Sequence, residues 1–147
     1  MSRCFEVVSG FQGRGIRLPQ RKTARSAGYD LEAAENVVVV PGEVTVIPTG
    51  LKVYMNPDEV LQVFIRSGIS IRNGLSLVNG VGIIDADYAD NPDNEGHIMI
   101  AIFNHGKTPV SVAKGQAFAQ AIFSRYLVVD DDSPGGKRQG GFGSTGG

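Results

Sequence analysis

The densest chemistry in this chain lies in Asn79-Gly80-Val81-Gly82-Ile83-Ile84-Asp85-Ala86-Asp87-Tyr88, where a short apolar run delivers an amide, two carboxylates and a phenol. An aspartate held beside a bound phosphate accepts a proton from water, and an amide pairs with a base edge through one donor and one acceptor. An Asx-type turn at a hairpin tip would account for the same residues without chemistry. Arg66-Ser67-Gly68 follows the apolar run 60–65 and combines a guanidinium, a hydroxyl and an unobstructed backbone N–H, the parts of a compact phosphate cradle. A solvated arginine at a strand end is the plainer reading. Ala27-Gly28-Tyr29-Asp30-Leu31 and Gly115-Gln116-Ala117-Phe118-Ala119-Gln120 carry less as isolated strings, since strand edges and turns explain both. No P-loop string is present, and the glycines of 10–15 have the wrong spacing for a dinucleotide fingerprint.

These residues need a scaffold, and 20 glycines and seven prolines scattered between short β-branched runs predict an all-β sandwich or barrel. Residues 37–40, 43–47, 51–55 and 60–65 read as successive strands, separated by Pro41-Gly42, Pro48-Thr49-Gly50 and Asn56-Pro57-Asp58. In 97–103, Ile98, Ile100 and Ile102 alternate with Met99, Ala101 and Phe103, so both faces are apolar and the strand is expected inside. Residues 117–127 form the last comparable run, and 70–73 suit a helical turn. No internal repeat is present.

After Val129 the composition shifts. The 18 residues Asp130 to Gly147 hold seven glycines, three consecutive aspartates and one aromatic, Phe142. Residues 1–129 therefore read as one β domain and 130–147 as a flexible glycine-rich arm, with too little apolar surface to order itself. Fully extended, such an arm reaches about 60 Å at ~3.3 Å per residue, enough to fold over a site on a neighbouring subunit. Phe142 among Gly140, Gly141, Gly143 and Ser144 offers one π-face for a base and many N–H groups for phosphates, the chemistry of a nucleotide lid.

A net charge of −1 from 14 basic and 15 acidic residues argues against a broad surface for nucleic acid or anionic membrane. Phosphate chemistry must use a local site. A lone cysteine, Cys4, and the lack of a signal peptide or long apolar run make the cytoplasm the expected location. His97 and His105 lack metal-ligand spacing and are read as structural or surface residues.

Taken together and in order, the five segments resemble the trimeric all-β dUTPases from about Arg25 to Gly147. Motif one is similar to Ala27 through Leu31, motif two to Arg66-Ser67-Gly68, motif three to Asn79 through Tyr88, motif four to Gly115 through Gln120, and motif five to Gly140 through Gly146. The resemblance implies a distorted jelly-roll of the β-clip type, assembled as a homotrimer with an exchanged C-terminal arm. It implies hydrolysis of dUTP to dUMP and pyrophosphate, with Asp85 the general base that activates water for in-line attack on the α-phosphate. Mg²⁺ would be bound mainly through the three phosphates, without direct protein ligands, and Asp30 would act through its water shell or at the subunit contact.

On the same resemblance, Asn79 pairs with uracil, and backbone groups of its hairpin, including Gly82 and Ile84, complete the base edge. Cytosine would leave buried groups unpaired at about 1–3 kcal/mol each. Tyr88 packs under the deoxyribose and excludes a 2′-hydroxyl. Arg66, Ser67, Gly68 and Gln120 hold phosphates, and Phe142 stacks on uracil, with Gly143 and Ser144 beside it.

The chain departs from the family pattern at Ala117, where motif four usually carries arginine, and at Ile65, where proline usually precedes motif two. The basic residue of motif five is Lys137 or Arg138, with Arg138 preferred. A longer connection, Ala89-Asp90-Asn91-Pro92-Asp93-Asn94-Glu95, follows Tyr88 and reads as a solvated loop or, more sharply, as one recruiting a protein partner, its deletion sparing hydrolysis. The alternatives are a dCTP deaminase of the same superfamily and a regulatory dUTP-binding protein.

Overall fold

The computed structural model describes residues 2–141, so Phe142, Gly143 and Ser144 lie outside the described residues. The described chain is all-β apart from a 3₁₀ turn at Ser9–Phe11 and one seven-residue helix. Its elements are β1 (Cys4–Val7), β2 (Tyr29–Glu32), β3 (Val37–Val39), β4 (Val44–Pro48), β5 (Leu51–Tyr54), β6 (Glu59–Ile65), α1 (Ser67–Asn73), β7 (Leu75–Leu77), β8 (Gly82–Asp85), β9 (Met99–Asn104), β10 (Val110–Val112) and β11 (Ala117–Arg125). The strands pair antiparallel in four small sheets, β2-β11-β6-β8, β4-β9-β7, β1-β5 and β3-β10, wrapped about one core in the jelly-roll manner.

The core follows from alternation along each strand. Leu31, Ile47, Leu61, Ile98, Ile102 and Phe118 are fully buried, each contributing about 1.5–3 kcal/mol by leaving water. β11 lies between β2 and β6, and its small residues Ala119 and Ala121 let both neighbours approach. A bulge between Ala117 and Ala119 sets the register toward β2.

Three expectations need correction. The run 97–103 buries only one face: Ile98, Ile100 and Ile102 point into the core, while Met99, Ala101 and Phe103 stay half-buried. β9 also begins at Met99, because the His97 N–H is taken by Asn94 and the Ile98 N–H by Leu51. β11 ends at Arg125, after which the Tyr126 N–H bonds to Asp58 and Leu127 stands 98% exposed. The helical turn starts earlier than 70–73, with Arg66 at its N-cap and Ser67 and Gly68 in its first turn. Gly74 ends it in the left-handed conformation, φ 66°, returning its N–H to Ser70. No described helix is long and apolar enough to cross a membrane.

Candidate active site

β8 carries Asp85 to the edge of its sheet, and a tight turn at Asn79-Gly80 feeds the strand. Behind this edge lies a cavity of about 420 Å³, within the range of small-ligand sites. Asn79, Gly82, Ile84, Asp85, Tyr88 and Arg138, all sequence candidates, line it together. Met99 and Ala101, from the half-buried face of β9, complete its wall. Sequence reasoning missed these two because it assigned that face to the core.

Tyr88 is 6% exposed, and its backbone N–H returns to the Asp85 carbonyl at 3.1 Å, closing the turn that presents both side chains. Its hydroxyl donates to the His97 carbonyl at 2.9 Å and accepts from Asn94 Nδ2 at 2.8 Å. Burial pushes the phenol pKa up, against an opposing pull from the Asn94 hydrogen bond. The ring is a fixed wall of the cavity.

The described end of the arm, residues 138–141, lies over its own chain. Residues 130–132 are exposed, and farther along Arg138 bonds to Asp85 and, through Nε, to Asp87 at 3.1 Å. Burial lowers the Arg138 pKa, and the hydrogen bonds it donates to Asp85 and Asp87 more than offset that, leaving it raised. Lys137 is exposed, which favours Arg138 as the basic residue of the arm. Gly141 lies directly on the Tyr88 ring, and Gly140 sits against the Asp93 carboxylate. A side chain at either glycine would collide with those groups.

The remaining candidates gather elsewhere. Asp30 on β2, Gln120 opposite it on β11 and Arg66 beyond β6 converge, with Arg66 Nε 3.6 Å from Asp30 and Gln120 packed on Gly28. Ser67 and Gly68 are exposed beside them. Val60 on β6 opposes Asp85, so Arg66 is six residues further along that strand, about 20 Å away at ~3.3 Å per residue. One chain does not bring Asp85 and the Arg66 cluster to the same phosphate group.

Among the described residues, no three His, Cys, Asp or Glu side chains stand close enough to hold a metal ion. Asp30 provides a single half-buried carboxylate within the Arg66 cluster, suited to an outer-sphere contact with a cation carried by a triphosphate.

An antiparallel jelly-roll that sets a carboxylate, an amide and a buried phenol around one ligand-sized cavity defines a class of β proteins with a polar small-molecule site at a sheet edge. The comparisons narrow that class. Residues 14–146 match the dUTPase family model. The deoxyuridine 5'-triphosphate nucleotidohydrolase of Lactococcus lactis is 49% identical over 98% of this chain and 97% of its own. Its counterpart in Anaeromyxobacter is 38% identical over 93% and 92%. The crystal structure of the Streptococcus mutans dUTPase superposes with a TM-score of 0.82 at 40% identity, covering 86% of this chain and 98% of that one. The chain belongs to the dUTPase family.

Proposed function

We propose that this chain hydrolyses dUTP to dUMP and pyrophosphate with Asp85 as general base. The observation that carries the reading is the convergence of Asp85, Asn79 and Tyr88 on one cavity. Asn79 pairs with the uracil edge, the backbone at Gly82 and Ile84 completes it, and Tyr88 lies under the sugar. Asp85 takes a proton from a water whose oxygen bonds to the α-phosphorus. The bond to the bridging oxygen breaks, and pyrophosphate leaves with its electron pair. Arg138 turns from Asp85 to the phosphates as nucleotide enters, and Phe142, Gly143 and Ser144 close behind it over the base.

Arg66, Ser67, Gly68 and Gln120 hold phosphates of a nucleotide bound mainly by another subunit. The ~20 Å between Asp85 and Arg66 along β6 supports sites that lie between chains, and these belong to a homotrimer with exchanged arms in the same proposal. Mg²⁺, when bound, would supply charge neutralisation along the triphosphate, and Asp30 would be the residue to hold it through water. A dCTP deaminase is not favoured, since the relatives compared above are named as nucleotidohydrolases. A purely regulatory dUTP binder would have no use for the carboxylate at position 85. A cytoplasmic setting belongs to the same proposal. Recruitment of a protein partner by the 89–95 loop would rest on its exposed residues Asp90, Pro92 and Asp93.

Pyrophosphate release measured across dUTP, dCTP, dTTP and UTP, with and without Mg²⁺, tests the reading. Mg²⁺-dependent release from dUTP alone is expected, and ammonia from dCTP would overturn it.

A further inference from the structure

The segment between Tyr88 and His97 is built as a folded cassette rather than a solvated loop. Asn91 is 5% exposed, and its Nδ2 donates to the Tyr88 carbonyl at 2.7 Å and to Asn94 Oδ1 at 2.8 Å. Its Oδ1 accepts from the N–H groups of Asp93 and Asn94 at 3.0 and 3.1 Å. Asn94 Oδ1 also accepts from the Gly96 N–H at 3.0 Å, and its remaining polar group, Nδ2, donates to the Tyr88 hydroxyl at 2.8 Å.

Two residues of the cassette, Asp90 and Glu95, hold left-handed backbone conformations, φ 59° and 63°, that disfavour ordinary side chains. Outside groups retain them there. Lys52, 8% exposed, places its ammonium 2.7 Å from Asp90 and 3.0 Å from Glu95. The Tyr54 hydroxyl donates to Asp90 at 2.6 Å, and the Ser9 hydroxyl to Glu95 at 2.7 Å. Gly96, φ 83°, closes the cassette where an added Cβ would stand 2.6 Å from the Ala89 backbone.

Two of these contacts, from Asn91 Nδ2 and Asn94 Nδ2, end on Tyr88. Its ring contributes to the cavity wall, and its hydroxyl has one donor partner and one acceptor partner, which hold the long axis of the ring against tilting. We propose that Asn94 is a positioning residue for Tyr88, and that the cassette thereby sets how strictly the pocket refuses a 2′-hydroxyl. This rests on the reading of the cavity as the dUTP site. A ring free to tilt would leave room for a ribose hydroxyl and hold the deoxyribose less well, while Asp85 keeps its place on β8.

The test compares kcat/KM for dUTP and for UTP in the wild type, Asn94→Asp, Asn94→Ala, Tyr88→Phe and the Tyr88→Phe, Asn94→Asp double variant. Asn94→Asp keeps the acceptor oxygen that holds Asn91 and Gly96 but replaces the donor to Tyr88 with a charged acceptor, leaving the hydroxyl one proton for two acceptors, so it decides the matter if the alanine variant does not fold. The dUTP-to-UTP preference is expected to fall roughly three- to tenfold in each single variant, the weight of about one neutral hydrogen bond. KM for dUTP should move more than kcat. The double variant should be no worse than Tyr88→Phe alone, because both changes remove one shared contact. An unchanged preference in folded Asn94→Asp, or losses that multiply in the double variant, overturns the proposal. A wild-type chain that releases no pyrophosphate from dUTP would instead defeat the reading of the preceding subsection.

Discussion

Arg138 bonds to Asp85 across 53 residues of its own chain, and the same guanidinium lies 3.0 Å from Asp87. The arginine side chain is 15% exposed but its two partners are 53% and 63% exposed. Pairs with such solvated carboxylates are worth about 1 kcal/mol or less each and weaken as salt rises. The arm is therefore seated, yet releasable when a triphosphate competes for the guanidinium. Arg138→Gln should raise amide hydrogen exchange in residues 130–141 and raise KM for dUTP about tenfold. Wild-type protein in ~1 M salt should show the same rise in exchange. Equal exchange in both proteins would show that the ion pairs do not hold the arm.

Gly141 provides a second handle on the arm that leaves every charge in place. A Cβ at this position would run into the Tyr88 ring. Gly141→Ala should keep the arm from settling over the cavity, raising KM for dUTP several-fold while the thermal midpoint stays within a degree or two, since the arm adds little to the core. A normal KM would mean that the arm closes without touching Tyr88.

Histidine 97 links this region to pH. Its Nε2 accepts the Gly50 N–H at 2.9 Å, its ring packs on Phe11, and burial pulls its pKa below the usual 6.5, against a smaller upward pull from Glu95. The folded protein thus holds the neutral ring, and the unfolded chain takes up the proton first as pH falls. Stability from this group is complete above pH 6.5 and is lost progressively as pH drops from there through the lower folded value. Asp90 and Glu95 also have lowered values, the first mainly through Lys52 and the second through Ser9, so their contributions fade only in more acid solution, below the ordinary 3.8 and 4.5. Thermal midpoints across pH 4.5–8 should fall below pH 6.5 in the wild type and lose that slope in His97→Gln. An unchanged slope in the variant would assign the loss to another group.

The long strands were legible in the sequence because Val44 to Pro48 and Glu59 to Ile65 carry β-branched and apolar residues between turn signals. β1, β7 and β10 were not. Strands as short as Leu75–Leu77 and Val110–Val112 exist only through their partners β9 and β3, which no local pattern reveals. Asp85, Asn79 and Tyr88 were legible as a group because a single ten-residue segment, Asn79 to Tyr88, carries all three. The wide separation of Arg66 from Asp85 was not, since it depends on Val60 opposing Asp85 across β6 and β8. The loop after Tyr88 looked solvated for its acidic composition, although its two asparagines turn inward. Asparagines three residues apart, bracketing Pro92-Asp93, were the available sign of an Asx-closed turn.

That register makes a prediction about assembly. Asp85→Asn should cut turnover at least ~10²-fold, the low end of a general base's contribution, with dUTP binding retained. Arg66→Ala should also cripple turnover, through lost phosphate contacts. If Asp85 and Arg66 act on the same nucleotide from different subunits, dissociating and reassembling equal amounts of the two variants leaves about one site in four with both native residues, by random mixing in a symmetric oligomer. Pyrophosphate release should therefore recover to a substantial fraction of that value, far above either variant alone. A site built within one chain gives no recovery, because each chain then carries one defect. Mixed samples that exchange subunits, as seen by mass spectrometry of a tagged partner, yet stay inactive would place both residues on one chain's own substrate and remove the composite site.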